Sequence, residues 1–155
     1  MITGEIKNKI DSIWDDFFSA GMSEYLTVIE QFSYLMFIHS LDEVENETEQ
    51  YEKFSGEKKE HIFPADKQNY RWHIFKTFEE TELFNLMDKE IFPFIKTING
   101  NEESAFARYM KDAAFSIPSP QTLKAVITKL DELFENPEVQ ARDMLGDIYE
   151  YVLSK

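Results

Sequence analysis

The feature that most constrains the fold is a long apolar stretch at residues 23–45, which has the periodicity of a buried helix. One set of apolar side chains recurs close to the three- and four-residue spacing of a single helical face: Leu26, Ile29, Tyr34, Phe37, Ile38 and Leu41. A second set widens that face until most sides of the helix are apolar: Val28, Phe32, Leu35 and Met36. Such a helix is typical of the middle of a bundle, so the stretch predicts a core made by helix packing.

The whole chain is predicted to be an all-α protein, a multi-helix bundle of five to six helices. Its 155 residues are enough for one domain with a substantial core, and we expect residues 1–155 to form a single helical domain. Expected helices cover residues 3–20, a second helix from residue 23 whose polar tail at 43–52 could continue as an exposed helix, 71–98 with an interruption, 102–114, 120–135 and 137 to the end. Gly21 is expected to terminate the first helix, and Pro93 is expected to break or kink the interrupted one.

Two later helices carry recognisable start signals. Ser119-Pro120 and Asn136-Pro137 each place a capping side chain directly before a proline, which is favoured at the first helical position. The last helix keeps its apolar periodicity up to the C-terminus, a pattern expected of a piece cut from a longer protein.

The absence of certain sequence features limits the compartment and the chemistry. The chain has no Cys, so it can have neither a disulfide framework nor a cysteine-ligated metal site. It shows no signal peptide and no apolar run near the roughly 20 residues that cross a bilayer. These observations favour a cytoplasmic protein without a membrane segment.

No catalytic signature is present, and the chain alone is not predicted to be an enzyme. There is no Gly-x-Ser-x-Gly elbow, no phosphate-binding loop and no glycine-rich cofactor turn among the five scattered glycines. The tetrapeptide from Asn136 to Val139 lacks the second proline and the aromatic residue of an amino-methyltransferase motif. The three histidines have no metal-ligand spacing, and His39 is interpreted as a packing residue.

Charge is unevenly distributed along the chain. The formal net charge is −14, and residues 42–52 contain six acidic residues without a Lys or Arg. This acidic run is interpreted mainly as a solvated helix face. Residues 53–76 contain six basic residues against three acidic ones, in a region that includes the irregular segment 54–70. Because the overall charge repels phosphate, the isolated chain is expected to bind free DNA weakly.

The basic segment supplies the candidate DNA contacts, which are Lys58, Lys59, Lys67 and Arg71. Phosphate contacts require Lys or Arg, and a loop can present several of them to one strand. The alternative is that these bases only offset neighbouring acids. Trp72 lies beside them and is predicted to be a core residue.

Four sets of packing residues resemble the amino-terminal domain of type I restriction-modification DNA methyltransferase (modification, M) subunits. In chain order they are Ile13-Trp14 with Phe17-Phe18, then residues 31–38 with Leu41-Asp42-Glu43, then Tyr70-Arg71-Trp72, and finally residues 147–151 with Leu153. Their order and spacing match the family over nearly the whole chain.

The resemblance implies a helical domain that has no active site of its own. It would precede an S-adenosylmethionine-dependent adenine-N6 methyltransferase domain that this chain lacks, so no cofactor is expected here. The implied partners are DNA in the assembled complex, a specificity subunit, a second M subunit and a restriction subunit. The implied role is to clamp DNA and to assist assembly.

Two other functions remain open from the residues alone. A stand-alone acidic protein could mimic DNA and inhibit nucleic-acid enzymes, and it would use the −14 charge directly. A generic helical adaptor would instead bind partner helices through apolar patches.

Overall fold

The computed structural model describes residues 3–97, 112–137, 139 and 145–154, and their secondary structure is helical, without a strand. The α-helices are α1 (Gly4–Ser19), α2 (Tyr25–Ser55), α3 (Trp72–Phe75), α4 (Glu80–Leu86), α5 (Phe92–Thr97), α6 (Pro120–Glu135) and α7 (Leu145–Leu153). A 3-10 helix covers Ala65–Tyr70 and a π-helical turn covers Met87–Ile91. The predicted all-α fold class is therefore confirmed.

The chain divides into two compact units. One consists of Met1–Ser33 together with Ser116–Lys155, and the other is Tyr34–Phe115. Below they are called the terminal unit and the central unit. That residues 1–155 act as a single domain stays a prediction.

The terminal unit is built on the packing of α1 with α6 and α7. Helix α1 buries Ile6, Ile10, Ile13, Trp14 and Phe17, at the three- and four-residue spacing of one helical face. Helix α6 buries Leu123, Val126, Ile127, Leu130, Leu133 and Phe134. Burial of each such side chain stabilises the unit by about 1.5–3 kcal/mol relative to exposure.

Sequence signals at two helix ends of the terminal unit are confirmed. The Ser119 hydroxyl oxygen accepts the Thr122 N–H at 3.2 Å, and Pro120 is the first residue of α6. The helix therefore begins with both devices that the sequence predicts. After α1, Gly21 has a φ of +92°, the left-handed conformation of a terminating glycine.

The helix around Pro93 differs from the sequence prediction. Helix α4, the π-helical turn and α5 follow one another directly, so the helix does not break at Pro93, and a kink there stays a prediction. The N–H of Phe92 donates to the Met87 carbonyl five residues earlier. This wider winding just before Pro93 lets the chain continue past a residue that has no N–H to donate. The interruption comes earlier, before Glu79, whose carboxylate caps α4.

The core of the central unit contains stacked and edge-on rings. Trp72 is 2% exposed and packs against Phe75 with ring centroids 5.5 Å apart. The His39 ring meets the Trp72 ring edge-on at 5.0 Å. The core position of Trp72 and the packing role of His39 are therefore confirmed.

Some predicted features lie partly or wholly outside the described residues. The Asn99-Gly100 turn and most of the helix expected at residues 102–114 are among them, as is most of the segment after Pro137 that leads to α7. In the described residues, no helix combines the length and the apolar character needed to span a bilayer.

Candidate nucleic-acid interface

The candidate residues lie on a segment that runs back beside the C-terminal half of α2, within the central unit. Helix α2 is terminated by Gly56, which follows Ser55, has a φ of +75° and donates its N–H to the Glu52 carbonyl at 2.9 Å. A loop leads from Gly56 to the 3-10 helix at Ala65–Tyr70 and then to Arg71. Acidic residues of α2 hold this segment in place at three anchor points.

The first anchor is the Glu45 carboxylate, which is 1% exposed. Its two oxygens accept the N–H groups of Ile62 at 3.1 Å and Phe63 at 2.9 Å. The Phe63 ring is itself buried and stacks on Phe94 at 5.7 Å. Because a buried carboxylate needs such donors, Glu45 fixes both the position and the direction of the loop backbone.

The second anchor is Glu52, one helical turn before the end of α2. Its carboxylate accepts the Lys59 N–H at 2.8 Å and lies 2.8 Å from Nε2 of His61. The other His61 nitrogen lies 3.3 Å from Glu45. The hydrogen bond to Glu52 raises the pKa of His61, and the hydrogen bond from Lys59 lowers the pKa of Glu52.

The third anchor is Arg71, whose side chain is 3% exposed. Its Nε donates to Asp42 at 2.6 Å. Nη1 donates to Glu49 and to Gln68, each at 3.0 Å, and Nη2 donates to Asn46 at 2.7 Å and to Glu49 at 3.1 Å. All three guanidinium nitrogens are thereby engaged by the protein itself.

Asp42 joins this arginine to the start of α3. Its second oxygen accepts the His73 N–H at 2.9 Å and lies 2.8 Å from Nδ1 of His73. Burial alone would raise the pKa of Asp42, but hydrogen bonds from His73 and Arg71 outweigh burial and hold the pKa below its ordinary value. For Arg71, burial alone would lower the pKa, but the hydrogen bonds and negative charges of Glu49 and Asp42 outweigh burial and raise the pKa above its ordinary value.

The interpretation of residues 42–52 as mainly a solvated face is wrong for two of its acids. Asp42 is 3% exposed and Glu45 is 1% exposed, and both bind groups from the segment that follows α2. The physical reason is that their partners are an arginine and backbone N–H groups, which compensate for lost hydration. Glu43 and Glu47 are exposed as expected.

The candidate DNA contacts fall in three different environments. Lys58 and Lys59 are exposed and line an open depression of about 870 Å³. Lys67 is half-buried and does not line it, and its ammonium lies 5.3 Å from the Tyr70 ring centroid. The burial of Arg71 favours an internal role over phosphate contact.

The depression also includes residues that the sequence did not single out. Lys53 lies in the last turn of α2, and His61 lies on the loop. Lys53 opens the basic segment and could have been chosen on that ground. His61 had no comparable signal, because its partners lie nine and sixteen positions earlier. Among the described residues, no group of three or more His, Asp or Glu is arranged to hold a metal ion.

The attachment of the loop should depend on pH through His61. Since the folded pKa of His61 lies above the ordinary 6.5, its stabilising contribution is complete below about pH 6.5 and is lost as pH rises through the folded value. A Glu52→Gln substitution should move the NMR titration midpoint of the His61 ring down toward the ordinary value. A Glu57→Gln substitution is the matched control and should leave it unchanged. An unaltered midpoint in Glu52→Gln would contradict the assigned cause.

Comparison with known proteins gives one match. The family model described as the HsdM N-terminal domain matches residues 6–130. No curated protein matches this chain, and no solved structure does either.

A match over most of the chain establishes the class of protein. The chain belongs to the HsdM N-terminal domain family, the amino-terminal domain of type I restriction-modification M subunits. The resemblance noted from the packing residues is thereby confirmed. All the anchors and candidate lysines described above lie inside the matched range.

Proposed function

We propose that this domain helps a type I modification methyltransferase to clamp DNA and to assemble with its specificity subunit and second M subunit. The observation that carries the proposal is the family match over residues 6–130. In this proposal methylation of adenine at N6, with S-adenosylmethionine, belongs to a separate catalytic domain. The complex would work in the cytoplasm and could also accept a restriction subunit.

The contact with DNA is assigned to the loop after α2. Lys58 and Lys59 are exposed on a segment whose backbone is tied to Glu45 and Glu52 by hydrogen bonds. Fixed backbone positions lower the entropy cost of placing two ammonium groups beside phosphates. The Lys59 ammonium also lies 4.3 Å from the Tyr51 ring centroid, which restricts its range.

Internal hydrogen bonding lessens the local repulsion between the acidic residues and DNA phosphates. Glu49 and Glu52 line the same depression, but the Arg71 guanidinium binds the first, while the Lys59 backbone N–H and the His61 ring bind the second. Their charge is therefore partly compensated within the protein. The overall charge of −14 still opposes DNA, so the contact would operate only in the assembled complex, where other subunits supply most of the attraction.

The acidic DNA mimic is disfavoured by the same hydrogen bonds. A mimic must present exposed carboxylates in rows that copy phosphates. Five of the six acids in residues 42–52 instead contact groups of their own chain, namely Asp42, Glu43, Glu45, Glu49 and Glu52.

The proposal predicts a change in the salt dependence of DNA binding. In the assembled methyltransferase, Lys58→Ala with Lys59→Ala should lower the slope of log affinity against log salt by about 2, because each lost phosphate contact removes about 0.9. S-adenosylmethionine affinity should not change. Titration of labelled DNA at several salt concentrations measures the slope.

A control variant with the same charge change makes this test specific. Lys89 and Lys96 are exposed in the same unit but lie away from the loop in sequence. Lys89→Ala with Lys96→Ala should leave the slope as it is. The proposed DNA contact would be rejected if the loop variant had the same slope as the unmodified complex. It would also be rejected if the loop variant and the Lys89→Ala/Lys96→Ala control lowered the slope equally.

A further inference from the structure

Helix α2 carries exposed apolar side chains on its C-terminal half, where the central unit leaves them uncovered. Val44 is 48% exposed, Tyr51 is 43% exposed and Phe54 is 96% exposed. A phenylalanine with nearly its whole side chain in water is unusual on a regular helix. Several large apolar groups exposed together are typical of an interaction surface.

These three residues lie along one side of the helix. Tyr51 follows Val44 by seven positions and Phe54 follows Tyr51 by three, which is the spacing of a heptad seam. Glu47 lies between them, three positions after Val44 and four before Tyr51, and it is exposed. The surface is thus an apolar seam with a carboxylate inside it; the seam below means Val44, Glu47, Tyr51 and Phe54.

Tyr51 is held in place by the loop. Its hydroxyl donates to Glu57 at 3.1 Å, and the Lys59 ammonium covers one face of its ring at 4.3 Å. A side chain already fixed before binding loses little entropy when a partner covers it. Tyrosine and other aromatic residues are also enriched among residues that dominate binding energy.

The charge of the seam indicates the chemistry of its partner. A wholly apolar partner would strip water from Glu47 without replacing its hydrogen bonds, which disfavours binding. A second copy of this chain would bring another −14 net charge and its own Glu47 to the contact. A helix with Lys or Arg beside its apolar stripe satisfies both the rings and the carboxylate.

We propose that the seam is a docking surface for an amphipathic helix of another protein, in which Lys or Arg flanks an apolar stripe. This goes beyond the proposed DNA contact. Lys59 packs on the Tyr51 ring, but substitutions at Val44 and Phe54 test the seam with Lys58 and Lys59 left in place. Apolar contact with Val44, Tyr51 and Phe54 supplies affinity. Pairing of a basic residue with Glu47 supplies selectivity.

The test uses the 155-residue chain and a labelled helical peptide of about three heptads, with a Leu stripe flanked by Lys. Fluorescence anisotropy should show saturable binding. Val44→Ser with Phe54→Ser should weaken it at least tenfold, about 1.4 kcal/mol or more. Leu26→Ser is the matched control, since Leu26 is 65% exposed in the first turn of the same helix, 28 positions before Phe54. That variant should bind as the unmodified chain does.

Charge reversal tests the selectivity. Glu47→Lys should weaken binding of the Lys-flanked peptide and strengthen binding of a peptide with the same Leu stripe flanked by Glu. Circular dichroism should show that each variant keeps its helix content. All the substituted residues are exposed, so each variant chain should still fold.

Three outcomes would overturn the proposal. The first is no saturable binding of the Lys-flanked peptide, or equal binding by the Val44→Ser/Phe54→Ser variant. The second is equal binding of a Lys-rich peptide whose Leu residues are replaced by Ser, which would indicate charge attraction alone. The third is concentration-dependent dimerisation of the chain that Phe54→Ser abolishes, which would assign the seam to a second copy.

Discussion

Replacement of Arg71 by Ala should lower the free energy of unfolding of the central unit by about 3–5 kcal/mol, the range for removal of one partner from a buried ion pair. Without the guanidinium, the Asp42 side chain stays buried, with 5% of it exposed, but its carboxylate loses the charged donor. Glu49, Asn46 and Gln68 lose hydrogen bonds at the same time. Urea unfolding followed by circular dichroism measures the change.

Two companion variants show whether the lost pairing is the cause. Adding Asp42→Asn to Arg71→Ala should restore part of the stability, because the unpaired buried charge is then removed. Arg71→Lys should also destabilise the unit, since one ammonium cannot reproduce a guanidinium that binds four side chains. If Arg71→Ala changed stability no more than Lys58→Ala, which should cost less than about 0.5 kcal/mol, the anchoring role of Arg71 would be wrong.

Replacement of Glu45 by Ala should cost about 2–4 kcal/mol, because the N–H groups of Ile62 and Phe63 lose their acceptor. The loop should then leave α2 before the rest of the unit unfolds. Hydrogen exchange at these two amides should become much faster. In the assembled methyltransferase, DNA affinity should fall although no basic residue has been removed.

The control for Glu45 lies two positions later on the same helix. Glu47→Ala removes an equal charge from an exposed site and should change stability by less than about 0.5 kcal/mol. Glu45→Gln should give an intermediate loss, since its amide presents only one acceptor oxygen. If the Ile62 and Phe63 amides stayed protected from hydrogen exchange in the Glu45→Ala variant, Glu45 would not be the group that anchors the loop.

Features set by neighbouring residues could be predicted from the sequence. Ser119 and Pro120 define the start of α6 because capping acts within one turn. Gly21 ends α1 for the same local reason. Trp72 could be assigned to the core because a large ring is seldom left in water.

The contacts of the candidate site were harder to predict from the sequence, because the residues that pair there are far apart in the chain. Arg71 and Asp42 are 29 positions apart, and no pattern in either segment indicates that they meet. The acids of residues 42–52 have a helical spacing that fits water as well as a bound loop. Charge type alone therefore placed Lys58 and Arg71 in one group, whereas their side chains have opposite exposure.

The π-helical turn before Pro93 has a consequence for the winding of the whole α4–α5 segment. Leu83, Met87, Ile91 and Ile95 are all buried and recur every four residues. In an uninterrupted α-helix each such step would overshoot a full turn by about 40°, so the last side chain would rotate about 120° away from the first. The wider turn absorbs this drift. The turn that accommodates Pro93 therefore also keeps these four side chains on one buried face.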